Sequence, residues 1–128
     1  MTTPSSHADL AALAAGAVPG SAWQAEIGDL RARLVVLAPE GELAGHVNRE
    51  ADLVLVGVSG AGAVLLGDEE VALRAGVALM VGRGTHRRVT AGSDGLAFLA
   101  VHRRTATSPA WRWRPRRRRP WEDPWEEE

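Results

Sequence analysis

From residue 30 to residue 102, glycine-containing turns divide the chain into short apolar segments, and this division constrains the fold more than any other feature. Turn residues include Gly41, Ser59–Gly60, Gly67–Asp68 and Gly92–Gly95. Segments rich in Val, Leu and Ala lie between them, at 30–37, 52–58, 61–66, 70–76, 77–81, 87–91 and 95–102. Short segments at this spacing are typical of the strands of a sandwich or barrel. The sequence therefore predicts an all-β fold.

Two local patterns agree with this prediction. Segment 30–37, LRARLVVL, has apolar residues at its even positions and arginine at positions 31 and 33, as in a strand whose two faces differ. Segment 65–71, LLGDEEV, has a Gly-Asp pair between two apolar stretches. Because Gly-Asp suits a tight two-residue turn, this segment predicts a hairpin.

The two ends of the chain differ from the central region. Ser6 and Asp9 precede an Ala- and Leu-rich stretch, which predicts a short capped helix ending near Gly16. We assign residues 1–29 to this helix and a lead-in strand, and residues 30–106 to the barrel. Residues 107–128 carry recurrent Pro, four of the five Trp and separate Arg and Glu blocks. This composition cannot form a core and predicts a disordered, flexible tail.

Composition excludes several classes of site and partner. The absence of cysteine excludes disulfides, thiolate metal sites and thiol nucleophiles. All fifteen basic residues are Arg, a bias that fits GC-rich codon usage, and the formal net charge of −1 predicts no general attraction to nucleic acid or membrane. No apolar run is long enough to span a bilayer, and no charged leader precedes the apolar N-terminal stretch. We expect a cytoplasmic protein.

Residues 46–52, HVNREAD, carry the strongest chemical signal. His46, Asn48, Glu50 and Asp52 occupy alternate positions. On an extended strand all four would project to one side, which would give one face several groups able to bind a metal or a polar ligand. Glu50 lies outside the family pattern described next, and we expect it to be solvated.

The span 41–90 resembles the two motifs of small single-domain cupins, which are jelly-roll β-barrels. The first cupin motif contains a glycine, His-x-His, a Glu and a second glycine; its counterparts here are Gly41, His46, Asn48, Asp52 and Gly60. The second motif contains a glycine, Pro-x-Gly and a His. In this chain Gly76 matches the first glycine, Gly82 replaces the proline and Gly84 matches the glycine after it. Arg87 occupies the position of the histidine, and His86 lies one residue before it.

In metal-binding cupins the resemblance implies three ligands from the first motif and one His from the second. His46 matches, whereas Asn48 replaces a His and Asp52 replaces a Glu. Arg87 is a cation and cannot ligate a metal. A metal site in this chain would therefore use His46, Asp52, Asn48 and a register-shifted His86. The resemblance implies a divalent transition metal at such a site, namely Fe, Mn, Ni or Zn.

Strand alternation offers a metal-free reading of the same positions. In RRVTA (87–91), Arg87 shares a face with Val89, whereas His86 shares the opposite face with Arg88. The face of Val89 is expected to be interior, so Arg87 should point inward and His86 outward unless a bulge at Gly84 shifts the register. An inward Arg87 beside an inward Asp52 would form a buried ion pair. We expect His102, at the end of the last strand, on a solvated edge.

These observations leave three hypotheses open. The first is a cupin-like module that binds or senses a small acidic or polar molecule through His46, Asn48, Asp52 and Arg87. The alternative is a metal-dependent cupin enzyme of the dioxygenase or isomerase type that uses His46, Asp52 and His86. The third is a structural role, as a homodimer with residues 111–128 docking another protein. The tail's six Arg are followed by five acidic residues, so we do not expect it to bind nucleic acid or membrane.

Overall fold

The computed structural model of the protein describes residues 7–16, 18–47 and 51–103. The predicted tail, 107–128, lies outside the described residues. Within them the chain forms one short helix and seven strands, in the order α1 (Leu10–Gly16), β1 (Gly20–Ile27), β2 (Leu30–Leu37), β3 (Glu42–Val47), β4 (Leu53–Leu66), β5 (Glu69–Arg74), β6 (Ala78–Val81) and β7 (His86–Arg103).

Helix α1 ends at Gly16, where the sequence predicts its end, and begins at Leu10. The Oδ1 atom of Asp9 accepts a hydrogen bond of 3.1 Å from the backbone N–H of Ala12, so Asp9 caps the helix. Ser6, the other expected capping residue, lies outside the described residues. No helix in the described ranges has the length and apolar character needed to cross a membrane.

All strand pairs are antiparallel, and strands β4 and β7 form the centre of the fold. The sheet order is β1-β2-β7-β4-β5, with β3 also paired to β7 and β6 also paired to β4. Each central strand unites two of the predicted segments: 52–58 with 61–66 in β4, and 87–91 with 95–102 in β7. The predicted hairpin is confirmed, because Leu66 pairs with Glu69 around Gly67–Asp68.

The β4–β7 ladder changes register in its middle, between Gly57 and Ser59 and between Gly60 and Gly62. Gly60 has a φ of 74°, and a Cβ at this position would overlap the backbone carbonyl of Gly95. On one side of these shifts, residues 53–56 of β4 pair with β6 and residues 96–103 of β7 pair with β2. On the other side, residues 61–66 of β4 pair with β5 and residues 86–90 of β7 pair with β3. The bend thus turns one continuous sheet into two layers.

The two layers pack face to face around one apolar core. Leu55 and Phe98 come from the first layer, whereas Val64, Leu73 and Val89 come from the second, and all five belong to a single buried cluster. Burial of these side chains supplies the main driving force for closing the layers on each other. This arrangement is the all-β, jelly-roll barrel that the sequence predicts.

Candidate functional site: the basic end of the barrel interior

The buried polar and charged side chains of the described residues are all basic. Arg31 and Arg33 are 0% exposed, His102 is 5% exposed and Arg87 is 7% exposed. Buried guanidinium groups are rare in domain interiors because they are costly to desolvate. We name this set of four residues the basic end, because strand register places all of them at one end of the barrel interior.

Turn contacts show which strand ends meet. The turns at 38–41, 59–61, 75–77 and 92–95 gather at one end, where for example Gly57 N–H donates to Val77 O at 2.8 Å and Glu40 N–H donates to Gly92 O at 2.9 Å. The starts of β2 and β4 and both ends of β7 consequently lie at the opposite end. There Gly67 N–H donates to His86 O at 3.2 Å.

Strand register places three basic residues on the interior face of the first layer. Arg31 pairs with His102, and Arg33 pairs with Ala100, one step further inside. Directly opposed residues of an antiparallel pair project to the same face. Ala100 and Leu53, the β4 partner of His102, belong to the apolar core, so Arg31, Arg33 and His102 also face the interior.

Arg87 occupies the corresponding position in the second layer. It pairs with Leu66 of β4 and with position 46 of β3. Val89, two residues along the same face, is 1% exposed and part of the core. The two layers therefore direct their basic residues toward the same interior space from opposite sides.

Neighbouring side chains hold the arginines of β2 in place. Arg33 Nη2 donates a hydrogen bond of 2.6 Å to Gln24 Oε1, and Arg31 Nε lies 3.1 Å from Glu26 Oε2 in an ion pair. Both contacts are cross-strand pairs, since Gln24 is opposite Arg33 and Glu26 is opposite Arg31. Such pairs restrict the rotamers of long side chains.

His102 is held through one ring nitrogen. Its Nδ1 lies 2.7 Å from the backbone carbonyl oxygen of Arg103. Because a carbonyl can only accept, Nδ1 must carry the proton in this contact. The contact fixes the tautomer and the ring orientation at the mouth of the barrel.

The structure agrees with the predicted orientations of His86 and Arg87. Arg87 is buried and His86 is exposed, as strand alternation requires. A Cβ at Gly45 would overlap the imidazole of His86, so His86 lies along the outside of β3. Position 46 is described only through its backbone, and Asn48 and Glu50 lie outside the described residues.

The predicted inward orientation of Asp52 is wrong. Its side chain is 59% exposed and lies 3.3 Å from Arg83 Nη2, while the backbone N–H of Arg83 donates to Asp52 Oδ1 at 2.8 Å. The prediction extended one strand through HVNREAD, but β3 ends at Val47 and β4 begins at Leu53. Asp52 precedes β4, and the neighbouring Ala51 and Leu53 are buried in its place.

Arg83 lowers the pKa of Asp52 below its ordinary value of 3.8. The largest cause is the hydrogen bond from the Arg83 side chain, followed by the one from the Arg83 backbone. Both favour the charged carboxylate. Asp52 thus links the start of β4 to the turn before β7 at the rim of the barrel.

One expectation about a basic residue also needs correction. His102 was expected on a solvated edge but is buried, because it pairs with Arg31 on one side and Leu53 on the other. Leu30, on the apolar face of segment 30–37, is 59% exposed, whereas Arg31 and Arg33 are fully buried. The sequence contains one signal for the burial of these arginines, which is the spacing of Gln24 and Glu26 before a turn and of Arg31 and Arg33 after it. A hairpin with this spacing places each polar residue opposite an arginine.

The described donor set does not fit a metal ion. No group of three or more His, Cys, Asp or Glu residues suited to a metal occurs in ranges 7–16, 18–47 and 51–103. Of the metal ligands predicted from the resemblance, Asp52 contacts Arg83 and His86 is exposed. The buried Arg87 occupies the position of the histidine of the second cupin motif, where its positive charge would repel a metal cation.

Comparison with solved structures supports the fold independently. The Bacillus halodurans protein BH2720 superposes with a TM-score of 0.68 at 13% identity, over 77% of this chain and 80% of that one. A cupin-2 domain containing protein from Shewanella frigidimarina gives a TM-score of 0.57 at 21% identity, over 68% and 80%. A Klebsiella pneumoniae protein with a double-stranded β-helix domain gives 0.64 at 16% identity, over 78% and 90%.

No protein-family model and no curated protein sequence matches the chain. At these identities the likeness to solved structures concerns the fold alone. The antiparallel strands, the two-layer topology and the similarity to structures described as cupin and double-stranded β-helix proteins agree with one another. The chain has a cupin-like single-domain fold.

Proposed function

We propose that the protein is a small-molecule binding or sensing module whose ligand is polar or acidic and enters the barrel at the basic end. The observation that carries this proposal is the burial of Arg31, Arg33, Arg87 and His102, because the other fully buried side chains in the described part of the chain are apolar. Guanidinium groups in a water-poor environment bind carboxylate and phosphate oxygens more strongly than they do in water.

Arg87 has the central role in this proposal. It projects inward beside position 46, where the resemblance to cupins implies ligand contacts. Its planar guanidinium can bind an oxyanion through two parallel hydrogen bonds. His46 and Asn48 remain predicted ligand contacts, whereas the exposed Asp52 would act at the rim by fixing the turn that contains Arg83.

The test is ligand-induced thermal stabilisation with a defined panel of compounds: sodium salts of small carboxylic acids, sugar acids and inorganic phosphate, together with neutral sugars. We expect at least one compound to raise the melting temperature of the wild type. Arg87→Met should abolish this shift, whereas Arg88→Met should retain it. Arg88 is a matched control because it is the next residue on β7 and is exposed.

Two results would contradict the proposal. One is the absence of stabilisation by any compound in the panel, and the other is an unchanged shift in a folded Arg87→Met protein. The alternative enzyme hypothesis has its own assay, which is metal analysis of protein purified without chelator. Stoichiometric Fe, Mn, Ni or Zn that is lost in His46→Ala but kept in His7→Ala would replace the present proposal with a metal-dependent one.

The homodimer and the docking role of residues 111–128 stay predictions from the sequence. The docking segment lies beyond the last described residue, Arg103. Truncation after Pro109, followed by light scattering and affinity purification, tests both. If the oligomeric state and the set of co-purified proteins are both unchanged, the tail contributes neither to oligomerisation nor to docking of another protein.

A further inference from the structure

The outer surface of the first layer carries apolar side chains on each of its strands. Leu55 and Phe98 point into the core, so the residues that alternate with them along β4 and β7 point outward. Strand pairing extends this outward-facing set to β1, β2 and β6. Across the five strands the set includes Trp23, Leu34, Val54, Met80, Leu99 and Val101. We name this surface the outer apolar face.

Several side chains of the outer apolar face are open to solvent. The exposed large hydrophobic residues in the described part of the chain are Val18, Ile27, Leu30 and Met80. All except Val18 belong to this face: Ile27 is paired with Leu30 at the edge formed by β1, and Met80 lies at the edge formed by β6. Contiguous exposed apolar surface on a folded chain marks a site of interaction.

The outer surface of the second layer has the opposite character. Glu42 and Arg88 form an ion pair of 3.9 Å on it, and Glu70 and Arg88 are both paired with Leu65. A sheet surface in contact with water normally has polar side chains at its outward positions, and this one has them. The outer apolar face lacks them. We propose that it is the interface between two copies of the chain, on the side of the sheet away from the basic end and independent of any ligand there.

A second copy fits the outer apolar face because an apolar surface is complementary to itself. A two-fold axis places the same patch of each copy against the other. Within the described residues, the charged side chains of this layer's outer surface lie at one margin, where Arg103 is opposite Leu30 and Asp52 contacts Arg83 at 3.3 Å. An interface with an apolar centre and charged groups at its rim is the ordinary arrangement in protein complexes.

The competing occupant that this chain could supply is its own tail, residues 107–128, which follows Arg103 closely in sequence. The tail contains six Arg and five acidic residues. Laying it on the outer apolar face would take many of these charges out of water without giving them partners there, which is costly. A second copy brings only apolar side chains to the centre of the contact, so it covers the face without this cost.

The size of the face sets the expected strength of the contact. Helix α1 packs over the end nearest the bend, where Ala14, Val36 and Ala97 line one cavity, and the remainder extends from there to the charged margin. Five strands span about 20 Å, and about six residues along a strand give a similar length. Two such faces bury on the order of 1,000 Å², which is the lower end for a specific interface. We therefore expect a dimer that dissociates at roughly micromolar concentrations.

The experiment is sedimentation velocity of the full chain over a range of micromolar concentrations, with circular dichroism to check the fold. Leu30→Glu and Met80→Glu should each raise the dimer dissociation constant about a hundredfold or more, because a symmetric contact would bury two new carboxylates. These side chains are 59% and 75% exposed in the single chain, so both variants should fold. Ala72→Glu is the matched control: Ala72 is exposed on the outer surface of the second layer, and its replacement should leave the dissociation constant unchanged.

Dilution of the wild type, followed by methyl NMR, is a second measurement that needs no variant. The methyl signals of Leu30 and Met80 should shift as the dimer dissociates, and the methyl signal of Ala72 should not. A chain truncated after Pro109 should form the same dimer as the full chain.

Three results would overturn the inference. The first is a wild type that stays monomeric at all concentrations, and the second is a dimer that keeps its dissociation constant in folded Leu30→Glu and Met80→Glu proteins. The third is a dimer that is lost on truncation after Pro109, because the tail and not the outer apolar face would then join the two copies.

Discussion

Arg33 on β2 donates a hydrogen bond of 2.6 Å from its Nη2 atom to the side-chain carbonyl oxygen of Gln24 on β1. The donor belongs to a fully buried residue, whereas Gln24 lies on a more exposed strand at the edge of the sheet. The edge strand therefore stabilises a cationic side chain in the barrel interior. Strand β1, which the sequence suggested only as a lead-in segment, contributes directly to the candidate site.

Replacing Gln24 with Leu should lower the free energy of unfolding by about 1–3 kcal/mol, because it removes an acceptor from a buried charged donor. Urea denaturation monitored by tryptophan fluorescence and circular dichroism would measure this change. Gln24→Glu is the matched control, since it retains an acceptor at the same position and should be as stable as the wild type or more stable. Equal losses in the two variants would show that the hydrogen bond is not the cause.

The neighbouring ion pair predicts measurable coupling between two residues. Arg31 is fully buried, and the side chain of Glu26 is 17% exposed, so water screens this pair only weakly. A double-mutant cycle with Glu26→Gln, Arg31→Met and the double variant should give a coupling energy of about 1–3 kcal/mol. A coupling energy near zero would mean that the two charges do not stabilise each other.

Much of the fold could be predicted from the sequence because turns and alternation are local. Gly67–Asp68 indicated a hairpin, and the alternation around Arg87 indicated which of two adjacent residues faces inward. Both inferences need only the geometry of a short stretch of strand. The structure places these elements as expected.

The burial of Arg31 and Arg33 could not be predicted in this way because β2 is buried on both faces. Leu34 and Arg33 are adjacent residues, and each is 0% exposed. Alternation separates the two faces of the strand but does not say which one lines the barrel interior. Hydropathy alone would assign the interior to the wholly apolar face that contains Leu34. The orientation of β2 toward the interior depends on its pairing with β7, which is long-range information that local periodicity lacks.

The contact between Asp52 and Arg83 predicts a specific titration behaviour. Because Arg83 holds the pKa of Asp52 below 3.8, this contact contributes stability above the unfolded-state pKa and loses it as pH falls through the lower folded-state pKa. Titration of the Asp52 carboxyl carbon by NMR should give a value below 3.8. In Arg83→Gln the value should rise toward 3.8, yet stay below it, because the backbone N–H still donates.

Arg74→Gln is the control for this titration. Arg74 is an exposed residue of β5 and is absent from the causes of the Asp52 shift. Its replacement should leave the Asp52 titration unchanged. A wild-type pKa of 3.8 or higher would contradict the rim contact between Asp52 and Arg83.

Gly57 is a position where a single added methyl group should be strongly destabilising. It is buried at the bend of β4, where its N–H donates to Val77 O at 2.8 Å and its carbonyl accepts from Gly76 N–H at 3.0 Å. A Cβ at this position would overlap the backbone carbonyl of Arg74, and backbone cannot move aside as a flexible side chain can. Gly57→Ala should therefore lower the free energy of unfolding by about 1–3 kcal/mol or more.

The matched control for this substitution is Gly82→Ala. Gly82 is exposed, and the nearest atom to an added Cβ is Thr85 Oγ1 at 3.9 Å, so the change should stay within about 0.5 kcal/mol. Urea denaturation of both variants measures the difference. The bend at Gly57 allows β4 to run from one layer into the other. Similar stabilities for the two variants would mean that β4 does not pass so close to residues 74–77. The two-layer arrangement that forms the basic end would then be wrong.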